Sequence, residues 1–105
     1  MKTETHDKVV CRTPTPGKKP TRISQWKYEL VRAAILAAVP TAPKSVAFAD
    51  LPGLVTGRIS QPDQDRLGDI SWYTTTVKLD LEVEGEIERV PDQKPQRLRR
   101  LPRRS

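Results

Sequence analysis

The sequence has very few of the side chains on which metal, redox and nucleophilic sites depend. Its 105 residues include one cysteine, Cys11, and one histidine, His6. A lone cysteine excludes an intramolecular disulfide and a cysteine zinc cluster, and these two residues cannot supply four zinc ligands. No histidine lies in a predicted helix or strand where it would activate Cys11 as a nucleophile. We therefore expect no metal, no cofactor and no enzymatic activity.

Long hydrophobic runs are also absent. The longest apolar run covers residues 33–40, far short of the roughly 20 residues needed to cross a bilayer. Val9 and Val10 are too few to form the apolar region of a signal peptide. With 105 residues, of which 35% are hydrophobic, the chain folds as one domain at most. We expect a soluble, cytoplasmic protein with no membrane contact.

The net charge is +6, and it is distributed unevenly. Residues 1–22 carry six basic and two acidic side chains, residues 23–93 carry seven basic and eleven acidic ones, and residues 94–105 carry six basic and none acidic. Basic ends of this kind are typical of polyanion binding and equally of solubilising termini. We predict a flexible or extended basic arm at 1–22, a folded domain at 23–101 and a basic tail at 102–105.

The first predicted helix runs from Ser24, a favourable N-cap residue, to Val39. Four apolar residues at helical spacing are expected to face the core: Tyr28, Val31, Ile35 and Val39. A second apolar line makes this face unusually wide: Trp26, Leu30, Ala33, Ala34 and Ala37. The surplus is covered either by the N-terminal arm or by a second subunit.

A second helix is predicted at residues 48–59, after a short edge strand at 45–47. Asp50 is placed to cap it, and Pro52 falls in the first turn, where its missing donor costs little. Its expected apolar face consists of Phe48, Leu51, Leu54, Val55 and Ile59. Residues 60–68 are polar and contain a proline, so they are predicted to be a loop or a broken turn.

The last third of the chain predicts a helix followed by a β-hairpin. A third helix begins near Asp69 or Ser71 and ends at Gly85, which suits a left-handed C-cap. A strand, a turn and a return strand follow at 86–90, 91–95 and 96–101. This order is the second half of a winged helix-turn-helix. The expected fold class is α+β, with three helices and a C-terminal wing of two or three strands.

Two patterns resemble known winged-helix sequences. The stretch from Thr74 to Val90 resembles the recognition helix and first wing strand of bacterial winged-helix repressors. Val77, Leu81 and Gly85 are among the residues that carry this resemblance. A wider pattern over about residues 10–101 resembles a family of small uncharacterised bacterial winged-helix proteins. It includes Pro16-Gly17-Lys18-Lys19, Arg22-Ile23, Trp72-Tyr73-Thr74-Thr75 and Pro95-Gln96-Arg97-Leu98-Arg99-Arg100. That family has no established activity, so the resemblance implies a fold and a surface but no reaction.

The resemblance assigns each side chain of the third helix and the wing to the core or to the surface. The residues implied to face the core are Thr74, Val77, Leu81, Ile87 and Val90. Those implied to face a groove are Trp72, Tyr73, Thr75, Thr76 and Leu79. On the return strand Arg97 and Arg99 share one face and Leu98 lies opposite. The expected nucleic-acid-binding residues are Tyr73, Thr75, Thr76, Lys94, Arg97, Arg99 and Arg100.

Each surface feature has a structural alternative. The arginines near the C-terminus either clamp phosphates or protect an edge strand and solubilise the tail. Trp72 and Tyr73 either stack on bases or on a partner, or Trp72 closes the core below the wing, which we expect. The threonines at 74–76 either bind phosphates near a helix N-terminus or pack as β-branched residues.

The third helix has one basic residue, Lys78, and three acidic ones, and it lacks the Arg, Asn and Gln that usually read bases. We nevertheless predict a non-enzymatic, nucleic-acid-binding, transcription-associated protein that contacts DNA phosphates through its wing and both basic ends. The alternative is a protein-interaction or dimerisation module without nucleic-acid binding. The acidic third helix and the wide apolar face of the first helix favour that alternative.

Overall fold

A computed structural model describes residues 8–14 and 17–101. Within that part of the chain the elements are β1 Lys8–Cys11, β2 Thr21–Ser24, α1 Gln25–Ala38, β3 Val46–Ala47, α2 Leu51–Thr56, α3 Gln61–Leu67, α4 Ile70–Glu84, β4 Ile87–Arg89 and β5 Arg97–Arg100. The predicted mixed α+β class is confirmed. The predicted number of helices is wrong, because the structure has a fourth. His6 and the predicted tail at 102–105 lie outside the described residues.

The strands form two small antiparallel sheets. β1 pairs with β2, and Val10 lies opposite Arg22 in that pair. The second sheet has the order β3-β5-β4, with β5 in the centre. The predicted edge strand, first wing strand and return strand correspond to β3, β4 and β5 and are confirmed within a residue or two. β1, by contrast, lies in the segment predicted to be a flexible or extended arm.

The first predicted helix is confirmed as α1, which follows Ser24 and ends before Val39. Val31, Ile35 and Val39 are at most 1% exposed, and Tyr28 packs against the core. In the second apolar line Ala34 is buried, Trp26 and Leu30 are half-buried, and Ala33 and Ala37 are exposed.

The second predicted helix is shorter than expected and is preceded by a 3-10 turn at Phe48–Asp50. Pro52 lies in the first turn of α2, as predicted, and Leu51 and Val55 are buried. Leu54 is instead 40% exposed, so its assignment to the core is wrong. Gly57 follows the last helical residue, and α2 ends there after six residues.

The predicted loop at residues 60–68 is wrong, because residues Gln61–Leu67 form α3. The Ser60 hydroxyl accepts a hydrogen bond from the Asp63 backbone N–H at 3.4 Å. Pro62 occupies the first turn, where no intrahelical donor is required. The Gln64 amide donates to the carbonyl oxygens of Thr56 and Ile59, which fixes α3 against the end of α2.

The core lies between α1, α2, α4 and the inner face of the three-stranded sheet. Leu98 of β5 is fully buried, whereas Arg97 and Arg99 on the other face of the strand are half-buried. The predicted alternation along the return strand is therefore confirmed. α4 contacts α1, α2, β1 and β4, and this central position makes it the element around which the candidate site is arranged.

Candidate interaction surface on the fourth helix

The ends of α4 are fixed by local hydrogen bonds. Asp69 is the N-cap, and its Oδ1 accepts from the Trp72 backbone N–H at 3.0 Å. Gly85 has φ +80°, a left-handed conformation that glycine adopts without a steric penalty. The predicted start near Asp69 and the predicted end at Gly85 are both confirmed. The helix is thus a well-defined platform of 15 residues.

The inner face of α4 is apolar with two buried ionic groups. Thr74, Val77 and Leu81 are fully buried, and Ile87 of β4 is 1% exposed, as the resemblance implied. Val90 is half-buried. The buried ionic groups are Lys78 and Asp80, which the sequence analysis did not place in the core.

Asp80 joins the N-terminal strand to the helices. Its Oδ1 accepts hydrogen bonds from the Arg12 backbone N–H at 2.9 Å and from Arg12 Nε at 3.1 Å. Its Oδ2 accepts from the Tyr28 hydroxyl at 2.9 Å. Burial, the hydrogen bond to Asp80 and the charge on that carboxylate together raise the pKa of Tyr28. The nearby thiol of Cys11 is buried, and desolvation followed by the charge on Asp80 raises its pKa to about 11.

Lys78 lies on the opposite flank of the helix. Its Nζ is 2.5 Å from Glu82 Oε2 and 4.7 Å from the centre of the Phe48 ring. Desolvation lowers the pKa of Lys78, and the pairing with Glu82 opposes that effect. Glu82 also accepts from Arg89 Nε of β4 at 3.1 Å. These contacts hold β4 against α4.

The outward face of α4 carries a stripe of uncharged side chains. Its members, called the α4 stripe below, are Trp72, Thr76, Leu79 and Val83. At about 100° per residue, their spacing of four, three and four residues places all four within about 60° of the helix circumference. Trp72 is 45% exposed and Val83 is 39% exposed, and Thr76 and Leu79 are half-buried. The stripe therefore presents an apolar surface to solvent.

Two hairpins border the α4 stripe. On the side of Asp80 lies the β1–β2 hairpin, because Arg12 pairs with Asp80 and, at 3.1 Å, with Glu84. On the side of Glu82 lies the β4–β5 hairpin, because Arg89 of β4 pairs with Glu82. The stripe is the exposed strip of helix between these two structures.

The N-terminal end of the stripe meets a group of aromatic and basic side chains. The rings of Trp72 and Tyr73 pack edge to face, with their centres 4.9 Å apart. Lys27 donates from Nζ to the Tyr73 hydroxyl at 3.1 Å, and the Arg66 guanidinium lies 4.4 Å from the centre of the Trp26 ring. Trp72 does not close the core, so that expectation is wrong; Tyr73 instead packs against the core. The two neighbours exchange the roles that the sequence analysis gave them, since a helix turns 100° between them.

The residues predicted to bind nucleic acid fall on different parts of the molecule. Thr75 is exposed and Thr76 half-buried on α4, and Lys94 is exposed in the turn between β4 and β5. The three β5 arginines all donate hydrogen bonds within the chain. Arg97 donates to the Ser45 hydroxyl and carbonyl oxygen, Arg99 to Glu88 at 2.6 Å, and Arg100 to the Leu36 carbonyl oxygen. Nucleic-acid contact by these residues stays a prediction.

Sequence reasoning did not single out Val83 or the full α4 stripe. The signal was the four-three-four spacing from Trp72 to Val83, which is a second apolar period on a helix already assigned one. Only the apolar spacing through Val77 and Leu81 was assigned to the core, because the predicted strands that follow the helix support that assignment.

Residues 8–14 and 17–101 contain no group of three or more His, Cys, Asp or Glu side chains placed to hold a metal ion. Over the same ranges, no helix combines the length and apolar character needed to cross a membrane.

Comparison with known proteins places the chain in a family. No curated protein and no solved structure matches it. Residues 8–98 match a family described as a family of unknown function (DUF6958). This range covers most of the chain and nearly every element described above, and it agrees with the expectation of an uncharacterised family. The chain therefore belongs to the family of unknown function DUF6958.

Proposed function

We propose that this chain is a non-enzymatic protein-interaction module, and that the α4 stripe is its docking surface for a protein partner. The observation that carries the proposal is the exposed, uncharged stripe from Trp72 to Val83 on a helix whose other face is fully packed. Large apolar side chains scattered singly on a surface need no explanation, but a line of them on one rigid face does.

The chemistry of the α4 stripe suits a protein surface. The cores of protein interfaces are depleted in charge and enriched in aromatic residues, and tryptophan is the residue most often found at binding hot spots. The stripe has Trp72 at one end, aliphatic Leu79 and Val83 further along, and no ionisable group. A capped helix packed on four other elements loses little conformational entropy on binding, which favours affinity.

The fold proposed to present this surface is a winged-helix variant. A helix, a short strand, further helices and a β-hairpin follow in order, and the sheet order β3-β5-β4 puts the returning strand in the centre. α4 then takes the place of the recognition helix, and β4 and β5 form the wing. The insertion of α3 between α2 and α4 is the departure from a compact helix-turn-helix.

The wing gives less support to DNA binding than the sequence suggested. Arg97, Arg99 and Arg100 each donate to an acceptor within the chain, so a phosphate would have to displace or share those contacts. α4 also presents no Arg, Asn or Gln to read a base edge. For these reasons we place the protein-interaction role before the nucleic-acid role at α4 and the wing.

The proposal is tested by quantitative affinity capture with three immobilised proteins: the full chain, Trp72→Ala and Leu54→Ala. Leu54 is the matched control because it is also apolar and 40% exposed, but it lies on α2. A hot-spot tryptophan contributes about 2 kcal/mol or more, which is about 30-fold in affinity. We expect Trp72→Ala to lose the partner and Leu54→Ala to retain it.

A second copy of the chain counts as a partner in this test, so sedimentation equilibrium is run on the same three proteins. The proposal would be contradicted if the full chain and both variants recovered every bound protein equally and did not differ in self-association. Thermal unfolding of each variant checks that the fold is intact. Because Trp72 is exposed, its removal is expected to leave the thermal midpoint nearly unchanged.

A further inference from the structure

The β1–β2 hairpin has a charge composition unlike the rest of the domain. Residues 8–24 contain five basic side chains and no acidic one. The basic residues are Lys8, Arg12, Lys18, Lys19 and Arg22. The rest of the domain, over residues 25–101, carries eleven acids and eleven bases. A positively charged hairpin thus projects from a body with no net charge.

The hairpin is a folded and anchored element. Val9 and Ile23 form a cross-strand pair, and Ile23 and Cys11 are 3% exposed within the hydrophobic core. Arg12 fixes the end of β1 to α4 through Asp80 and Glu84. The positions of Lys8 and Arg22 on the two strands are therefore set by the fold.

All five cations are exposed, and four of them lie apart from the ion pairs of Arg12. Lys8 and Arg22 are exposed on the outer face of the two-stranded sheet, and Lys18 and Lys19 are exposed in the connection between the strands. Lys8 lies opposite Ser24 and Arg22 lies opposite Val10, so Lys8 and Arg22 are diagonal neighbours on one face. Such neighbours are about 7–8 Å apart, close enough to contact one phosphate backbone together.

We propose that the outer face of the β1–β2 hairpin, with Lys8, Lys18, Lys19 and Arg22, binds the phosphate backbone of duplex DNA. The site is separate from the α4 stripe, and it takes the phosphate contact away from the wing. The arginines of β5 are engaged within the chain, whereas these four side chains extend from an acid-free segment. Charge complementarity selects a polyanion, and the set contains no Asn, Gln, Asp or Glu, so phosphate contacts are expected to dominate over contacts with base edges.

The expected binding is independent of base sequence and strongly dependent on salt. Each phosphate neutralised on duplex DNA contributes about 0.9 to the slope of log affinity against log salt concentration. Four contacts give a slope of about −3.6, and each contact contributes about eightfold in affinity at 0.1 M salt. Binding is therefore expected to be weak at physiological salt and measurable at low salt.

The test is fluorescence anisotropy of a labelled random-sequence duplex, with the full chain and three variants at several salt concentrations. The hairpin variant is Lys18→Ala/Lys19→Ala/Arg22→Ala. The control removes three exposed cations from elsewhere, Lys44→Ala/Arg58→Ala/Arg66→Ala, and so has the same net charge. The third variant, Lys18→Arg/Lys19→Arg/Arg22→Lys, keeps every charge.

We expect the hairpin variant to lose affinity by about 100-fold or more and its salt slope to flatten by about 2.7, which is the contribution of three contacts. The control and the charge-conserving variant are expected to stay within a few-fold of the full chain. Equal losses in the hairpin variant and the control would overturn the proposal, because net charge alone would then explain the binding. No binding of the full chain at low salt, or tighter binding to heparin or to phosphatidylserine vesicles than to DNA, would overturn it as well.

Discussion

Asp80 accounts for the attachment of the N-terminal strand, since its two oxygens accept three hydrogen bonds from β1 and α1. A buried carboxylate is costly unless such donors compensate its lost hydration. Its position on α4, between Leu79 and Leu81, would suggest a solvated charge from sequence alone. The compensating donors come from residues 68 and 52 positions away, so sequence spacing gave no sign of them.

The residue-scale prediction compares two acids that bind the same arginine. Asp80→Ala leaves the Tyr28 hydroxyl and the Arg12 backbone N–H without their acceptor, and we expect it to lower the free energy of unfolding by about 2–4 kcal/mol. Glu84→Ala removes a pair whose side chains are half-exposed, and we expect a loss below about 1 kcal/mol. Urea unfolding of both variants measures the difference. Equal losses would show that Asp80 does not anchor β1 as described.

At the scale of elements, the sequence predicted α1, α4, β4 and β5, because each combines a regular spacing of apolar residues with residues that mark its ends. Ser24 before α1, Asp69 before α4 and Gly85 after it are local signals that act within one turn. α3 was missed because its residues are mostly polar and show no helical spacing of apolar side chains. Ser60 and Pro62 are nevertheless a signal for a helix start. Its stability comes from Leu67 in the core and from Gln64, which binds the end of α2.

The element-scale prediction concerns the two side-chain caps. The Asp69 carboxylate receives its hydrogen bond at 3.0 Å, whereas the Ser60 hydroxyl receives its bond at 3.4 Å. We expect Asp69→Ala to cost about 1 kcal/mol of unfolding free energy and Ser60→Ala to cost about half as much, since the longer bond is weaker. Thermal unfolding monitored by circular dichroism compares them. A larger loss from Ser60→Ala would contradict this ranking of the two helix starts.

The candidate site was predictable in part. Thr75, Thr76 and Leu79 were placed outward by resemblance, and the outward side of α4 is where the stripe lies. Trp72 was expected in the core and Tyr73 at the surface, but the structure has them the other way round. Adjacent helix positions differ by 100°, and the edge of the core here is set by Lys27, which binds Tyr73 and the end of α3. The engagement of Arg97, Arg99 and Arg100 was also not predictable, since their acceptors on Ser45, Glu88 and Leu36 come close to β5 only in the folded domain.

At the scale of the whole molecule, the proposals assign two surfaces to one small domain. The α4 stripe would bind protein, and the β1–β2 hairpin beside it would bind a phosphate backbone. Arg12 connects them, because it belongs to the hairpin and pairs with Asp80 and Glu84 of α4. A domain arranged in this way would bring a protein partner close to nucleic acid without catalysing a reaction.

The most direct test of the central claim is the effect of Leu79→Lys, with Leu54→Lys as the control of equal charge. Leu79 lies in the middle of the α4 stripe, where a lysine would put an unpaired charge into a protein interface. The account predicts that Leu79→Lys abolishes capture of the protein partner, that Leu54→Lys retains it, and that both variants bind duplex DNA alike. If the α4 stripe instead faces DNA, Leu79→Lys alone will tighten DNA binding, steepen the salt slope by about one and leave protein capture unchanged, and the claim will be wrong.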